Sequence, residues 1–295
     1  MKYGNLHLHS VYSDGVLTPL ELCQKAKEIG YKALCITDHN NTDCFESFEK
    51  AAKETGMCYV LGMEGNGIYQ NYNCHIVGYD FDKTYPKMAE YLKYHRDSMY
   101  AVTKAKFDAL TKEGYISDIS WNDVLEDAPE GCWICNEQVF ASLVKRTGIT
   151  QANYREFFLK FRAAKISEDI PDIRYLSAEE MIKLIRNAGG IASLAHPHEI
   201  TRFIPEFYPM GLNCIEYDHP DIDETDIAAV LSFAKGKKIY LSGGTDHTGL
   251  LSNFPFERET NPDDRDACFL VPLTSDVRNG VTEEEFYNIK NRIYG

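Results

Sequence analysis

Histidine and leucine alternate near the start of the chain, in Asn5-Leu6-His7-Leu8-His9-Ser10. Successive side chains of a strand point to opposite faces, so this spacing puts Leu6 and Leu8 on one side and His7 and His9 on the other. Short apolar runs recur at 33–37, 58–63, 74–79, 191–195, 214–217 and 238–242, with one more at 267–271. Helical segments with explicit start signals lie between them. Thr18-Pro19-Leu20-Glu21 supplies a cap, a proline at the first helical position and a capping-box glutamate. Leu22, Ala26 and Ile29 make its inner stripe, and Gly30 is the natural stop. Ser177-Ala178-Glu179-Glu180 repeats the box ahead of Gly189-Gly190. Further helices are expected over 43–55, over 226–235 and from Thr282 onward.

From about Tyr85 the strand pattern stops. Residues 86–172 read as helices over 88–110, from near Trp121, over 139–146 and over 154–164. The expected organisation is an α/β body of residues 1–85 and 173–295, interrupted by a helical insertion covering 86–172. Alternating strands and helices point to parallel pairing with right-handed crossovers. Ligand-type residues cluster where apolar runs end: the His7/His9 pair on the first strand, His39 after the second, Glu64 closing the third, His196 after the fifth, Asp246 after the seventh. His75 lies on the fourth. A closed barrel gathers such strand ends around one mouth, whereas an open sheet spreads them along a line. The expectation is a (β/α)7 TIM-like barrel.

Composition narrows the function. The chain has 295 residues, and 31 Lys plus Arg stand against 45 Asp plus Glu, a net charge of −14. That balance disfavours a protein that holds long nucleic acid by neutralising phosphates. No apolar run approaches a membrane span, and Met1-Lys2-Tyr3-Gly4 leads into the first strand without a signal-peptide pattern. A cytoplasmic protein with no membrane partner is expected, its oligomeric state open. Nine cysteines without a secretory signal argue against a disulfide framework. Cys132-Trp133-Ile134-Cys135 lacks the preceding strand of a redox motif and the second pair of a zinc site, so two packed thiols are expected.

The candidate ligands are His7, His9, Asp14, His39, Glu64, His75, His196, Asp246 and His247. Imidazole and carboxylate ligands without cysteine suit Zn, Mn or Fe(II). They outnumber what one ion takes, so two or three divalent ions per chain are implied, with Glu64 the natural bridge. The alternative, unrelated polar residues that happen to end strands, fits each residue singly and not the set. His198 is placed beside the motif to orient substrate, act as an acid or support a ligand. Asp38 is read as a hydrogen-bond partner of the site, His95 as solvated, and His219 as a turn residue.

With these residues assigned, the chain resembles the PHP (polymerase and histidinol phosphatase) family. The motifs are H7-L-H9 with Asp14, T37-D-H39, Glu64 in G-M-E-G, His75, His196 in A-H-P, and Asp246 in G-G-T-D. The interrupting helical segment resembles that of the family's stand-alone nucleotide phosphatases. The resemblance implies a distorted seven-stranded barrel and a trinuclear cluster that hydrolyses phosphate esters. By position, His7, His9, Glu64 and Asp246 would hold one ion and Asp14 with His39 a second. The third would share Glu64 with His75 and His196. Members commonly carry Asp-x-His at the end, whereas this chain has Asp246-His247. Either His247 reaches the second site from a shifted loop, or that site is incomplete. Asn136-Glu137-Gln138 and His198-Glu199 also stand where relatives carry Arg or His.

The chemistry expected of such a cluster is phosphomonoester hydrolysis. Water bridging two cations loses a proton near neutral pH, and the cations neutralise the phosphoryl oxygens. His196, His198 or a metal-bound water would serve as the acid. The substrate is expected to be a small phosphorylated metabolite, such as a nucleotide or nucleoside bisphosphate. Arg202, Arg146 and Arg174 are candidates to bind it, as are Lys145, Arg162 and Lys165. Competing readings are an amidohydrolase-like C–N or C–O hydrolase and a non-catalytic metal-binding scaffold.

Overall fold

The computed structural model describes residues 2–150, 153–170, 172–248 and 279–294. A three-stranded parallel sheet comes from the N-terminal part: β1 (Gly4–Asn5), β2 (Ala33–Leu34) and β3 (Cys58–Tyr59), in that order. The second sheet contains β4 (Gly62–Tyr69), β5 (Tyr72–Tyr79), β6 (Leu176–Ser177), β7 (Ile191–Leu194), β8 (Cys214–Asp218) and β9 (Tyr240–Gly243). Its order is β6-β4-β5-β7-β8-β9. The fold is α/β, as expected.

The pairing departs from all-parallel crossovers. β4 and β5 form an antiparallel hairpin, and β5 is also antiparallel to β7. Gln70-Asn71 is too short to carry a crossover helix, and Gln70 takes the left-handed conformation (φ 52°) that a tight hairpin turn requires. The run 58–63 is divided between β3 and β4, so Glu64 lies within a strand of the second sheet and not at a strand end. Two segments join the sheets outside the regular ladders. Leu8 bridges His247 and His39 bridges Glu64, both in parallel sense. The run at 267–271 lies outside the described residues.

The helices α1 (Pro19–Ile29), α2 (Phe45–Thr55), α3 (Pro86–Lys112), α4 (Trp121–Asp127), α5 (Asn136–Thr147) and α6 (Tyr154–Ala163) fill the first half. Then follow α7 (Ala178–Asn187), α8 (Ile204–Met210), α9 (Glu224–Ala234) and α10 (Glu283–Lys290). Capping boxes at Thr18 and Ser177 start α1 and α7 as their sequences indicate, and Gly30 ends α1 in the left-handed conformation. The short α8, with Pro205 and Pro209, carries no clear helical signal and was not expected. Leu8, Ile36, Met63, Ile76 and Leu194 belong to the main core beneath the sheets. A separate core joins α3 to α6 through Phe107, Leu110, Trp121, Phe140, Phe157 and Phe161.

Candidate metal centre

The histidine-bearing segment is held on both edges by backbone bonds. Asp246 N–H donates to the His7 carbonyl at 2.8 Å and His9 N–H to the His247 carbonyl at 2.8 Å. On the other edge, Thr37 N–H donates to the Leu8 carbonyl at 2.8 Å. Leu6, His7, Leu8 and His9 are all fully buried, so the alternation separates a core face from a ligand face inside the protein, not core from solvent. A Cβ at Gly244 would overlap the backbone of His7, which is why that approach needs glycine.

Glu64 is the centre. Its Oε1 lies 3.2 Å from His7 Nε2, 2.9 Å from His75 Nδ1 and 3.2 Å from His196 Nε2. Its Oε2 lies 3.3 Å from His9 Nε2 and 3.1 Å from His39 Nδ1. Asp246 Oδ1 is 2.8 Å from His9 Nε2 and 3.4 Å from His7 Nε2. Asp14 faces His9 Nδ1 at 3.4 Å and His39 Nε2 at 3.5 Å. Asp246 (φ 51°) and His196 (φ 25°) both reach the cluster from left-handed backbone, a conformation that costs free energy and concentrates at functional sites.

These residues fit divalent ions. His7 Nε2, His9 Nδ1, His39 Nδ1 and Glu64 Oε2 are buried and have no hydrogen-bond partner. Buried polar atoms are normally paired, and a cation would satisfy all four. The N···O separations also match. Ligands about 2.0–2.1 Å from one ion stand roughly 2.9–3.5 Å apart.

Charge is balanced tightly within the cluster. Burial lowers the pKa of His7, but Glu64, Glu216 and Asp246 outweigh it and hold His7 well above the usual imidazole range. His9 is raised likewise against burial, by Asp14 and Asp246. His196 is pushed up to about 9, burial again opposing and Glu64 prevailing. Burial would raise Glu64, yet His75, His7 and His39 hold it well below the carboxylate range. His75 alone is lowered, because burial prevails there.

Two residues of the site escaped sequence reading. Glu216, on β8, accepts from His7 Nδ1 at 3.1 Å and from His196 N–H at 2.7 Å. Its signal was available, since an acidic residue in the apolar run 214–217 must have a buried partner. His219 opens a turn after β8, as expected, and also approaches the cluster. It is 2 % exposed, and its Nε2 lies 3.7 Å from Asp246 Oδ2. Asp38 accepts from Ser10 N–H and both hydroxyls of Ser10 and Ser13, so it fixes the loop that carries Asp14. His247 is buried, but its side chain joins none of the ligand-type groups found among the described residues.

Beside the cluster is a cavity of about 340 Å³. Asp14, His39, Asn66 and His75 line it together with the aromatic-rich set Met99, Trp133, Tyr154, Phe158 and Tyr175, and with Asn136 and Glu137. None of the candidate arginines lines it. Arg146 is bound by Asp123, Glu126 and Asp127, an ion-pair network within α4 and α5. Arg202 donates to the Glu199 carbonyl and to Tyr72, and stacks on Phe203. Arg174 lines a different cavity between α3 and α7. His198 is half-exposed, its Nδ1 2.7 Å from Asp226. Cys132 and Cys135 are packed free thiols, as expected, touching the carbonyls of Val11 and Ser13.

The sequence model of the PHP domain matches residues 5–127. A 5'-3' exoribonuclease of Haemophilus influenzae is 30% identical over 210 residues, covering 66% of this chain and 69% of its own. The chain belongs to the PHP family. A 3',5'-nucleoside bisphosphate phosphatase of Chromobacterium violaceum is 26% identical over 252 residues, 82% of this PHP chain and 86% of that one. The fold is similar to that of a Bifidobacterium adolescentis protein assigned as a metal-dependent phosphoesterase. Its TM-score is 0.76 at 20% identity, over 99% of this chain and 96% of the other. With its family and the ligand clusters together, this PHP protein is a metal-dependent phosphoester hydrolase. No helix among the described residues is long and apolar enough to cross a membrane.

Proposed function

We propose that this PHP enzyme removes phosphate from a small nucleotide-type substrate, using two or three divalent ions of Mn, Fe(II) or Zn. One observation carries the reading: Glu64 is ringed by His7, His9, His39, His75 and His196 beside an aromatic-walled cavity. His7, His9, Glu64 and Asp246 would hold one ion, and Asp14 and His39 a second. Glu64, His75 and His196 would hold the third. Bound ions would supply an activated water and neutralise the phosphoryl oxygens.

The chain's own residues prepare that chemistry. Glu216 fixes the His7 ring and the His196 backbone together. Asn66 and Asn73 engage His75 Nε2 at 2.9 and 3.1 Å, which keeps Nδ1 turned toward Glu64. His198, anchored through Nδ1 to Asp226, keeps Nε2 available to hand a proton to the leaving oxygen. Trp133, Tyr154, Phe158 and Tyr175 offer ring faces to a base, while Asn136 and Glu137 offer polar groups to its edge. The substrates named for the two sequence relatives, RNA and nucleoside bisphosphates, both contain such bases.

The same reading takes the two sheets as one distorted barrel, which the Leu8–His247 and His39–Glu64 bridges support. It takes residues 86–172 as an inserted subdomain, which the separate core of α3 to α6 supports.

The test is a panel of nucleoside mono- and bisphosphates, short oligoribonucleotides, sugar phosphates and non-phosphorylated amides, assayed with metal-loaded protein. Phosphate release from a nucleotide at the highest kcat/KM supports the proposal. Preference for a sugar phosphate, or for an amide bond, contradicts it.

A further inference from the structure

A second cavity, of about 560 Å³, lies between α3 and α7, behind the aromatic wall of the first. His95 lines it and is 1 % exposed, with neither Nδ1 nor Nε2 meeting a hydrogen-bond partner. This corrects the reading of His95 as solvated. The ring is enclosed by Tyr91, Tyr94 and Tyr175, at centroid distances of 4.3, 5.3 and 5.6 Å. Burial lowers the His95 pKa to about 4, so the imidazole is neutral near pH 7 and offers one donor and one acceptor.

The rim is cationic where it is unpaired. Lys87 and Arg174 line the cavity with no carboxylate at ion-pair distance among the described residues, although Arg174 is near enough to Glu180 to lower its pKa. Lys183 is engaged by Glu179, and Glu180 is occupied in capping Ser177. Glu90 is the remaining carboxylate. Tyr94 is 41% exposed, an aromatic face left open beside these cations.

We propose that this cavity is a second binding site, for a nucleotide-type ligand: an aromatic base against Tyr94 and His95, with its phosphate on Lys87 and Arg174. The edge of a planar heterocycle supplies a partner to the His95 nitrogen nearest the cavity, and a phosphate answers the two cations. Tyr175 lines the first cavity and packs on His95, which lines the second, so the two sites share a wall. The ligand is either a free nucleotide or the next nucleotide of a strand whose end occupies the metal centre. The inference goes beyond the proposed reaction and stands without it, because binding is read with no turnover.

The experiment is calorimetric titration of the full chain with adenosine 5'-monophosphate, in wild type, His95→Phe and Lys87→Gln. The expected result is a binding component weakened roughly tenfold by Lys87→Gln and by His95→Phe. Lys87 is exposed, so its variant reports even where His95→Phe fails to fold. Affinity unchanged in Lys87→Gln overturns the proposal. A trinucleotide that binds once per chain and displaces this component identifies the next nucleotide of a strand. Adenosine 5'-monophosphate that stays bound beside the trinucleotide identifies a free nucleotide. Failure of the phosphoesterase reading would appear separately, as no phosphate released by the metal-loaded protein.

Discussion

Glu216 accepts from Nδ1 of His7 at 3.1 Å, and this single contact decides which His7 nitrogen faces the cluster. With Nδ1 engaged, Nε2 stands 3.2 Å from Glu64 and 3.4 Å from Asp246. Glu216→Ala should therefore weaken metal binding about 10- to 100-fold without removing any proposed ligand. Competition against a chelator of known affinity measures this. Equal affinity in the variant would show that His7 needs no such anchor.

Metal loading should release protons. In the metal-free protein His7, His9 and His196 have raised pKa values, His196 at about 9, and ligation needs neutral imidazoles. Titrations at pH 7 in buffers of different ionisation enthalpy should show proton release that declines toward pH 9. No buffer dependence would contradict the charge balance described.

The metal-free fold should have an opposite pH preference to the loaded one. Raised imidazole pKa values add stability that is complete below the unfolded pKa of about 6.5 and is lost as pH rises through the folded value. Tm of chelator-treated protein should fall between pH 6.5 and 9, and the Tm gain on adding metal should grow over that range. A flat metal-free profile would contradict it.

Gly244→Ala should destabilise by about 1–3 kcal/mol, the usual range for overpacking, because its Cβ would overlap His7. Metal content should fall with it. Urea unfolding and elemental analysis check both, and a variant of normal stability would show that the β9 end has slack.

The sequence made the site more legible than the fold. The candidate ligands are strand-borne or follow strands closely, and their chemical types are rare enough together to stand out. Alternation marked His7 and His9, and buried leucines confirm the faces. The antiparallel β4–β5 hairpin was not legible, because Glu64 and His75 look alike whether two parallel strands or one hairpin present them. The surroundings of His95 and His219 were illegible for a common reason. Their partners, Tyr175 and Asp246, come from distant segments that local patterning does not join. The ion pairs of Arg146 were illegible likewise, since the carboxylates of α4 that bind it look solvated in sequence.

The central claim is that Glu64 joins ions held by histidines on its two sides. The direct measurement is metal per chain, by elemental analysis of chelator-free protein, in wild type and Glu64→Gln, with phosphate release from a nucleoside bisphosphate on the same samples. The account predicts two or three ions in wild type, fewer than one in the variant, and turnover lost with them. A variant that keeps its ions and its activity would contradict it.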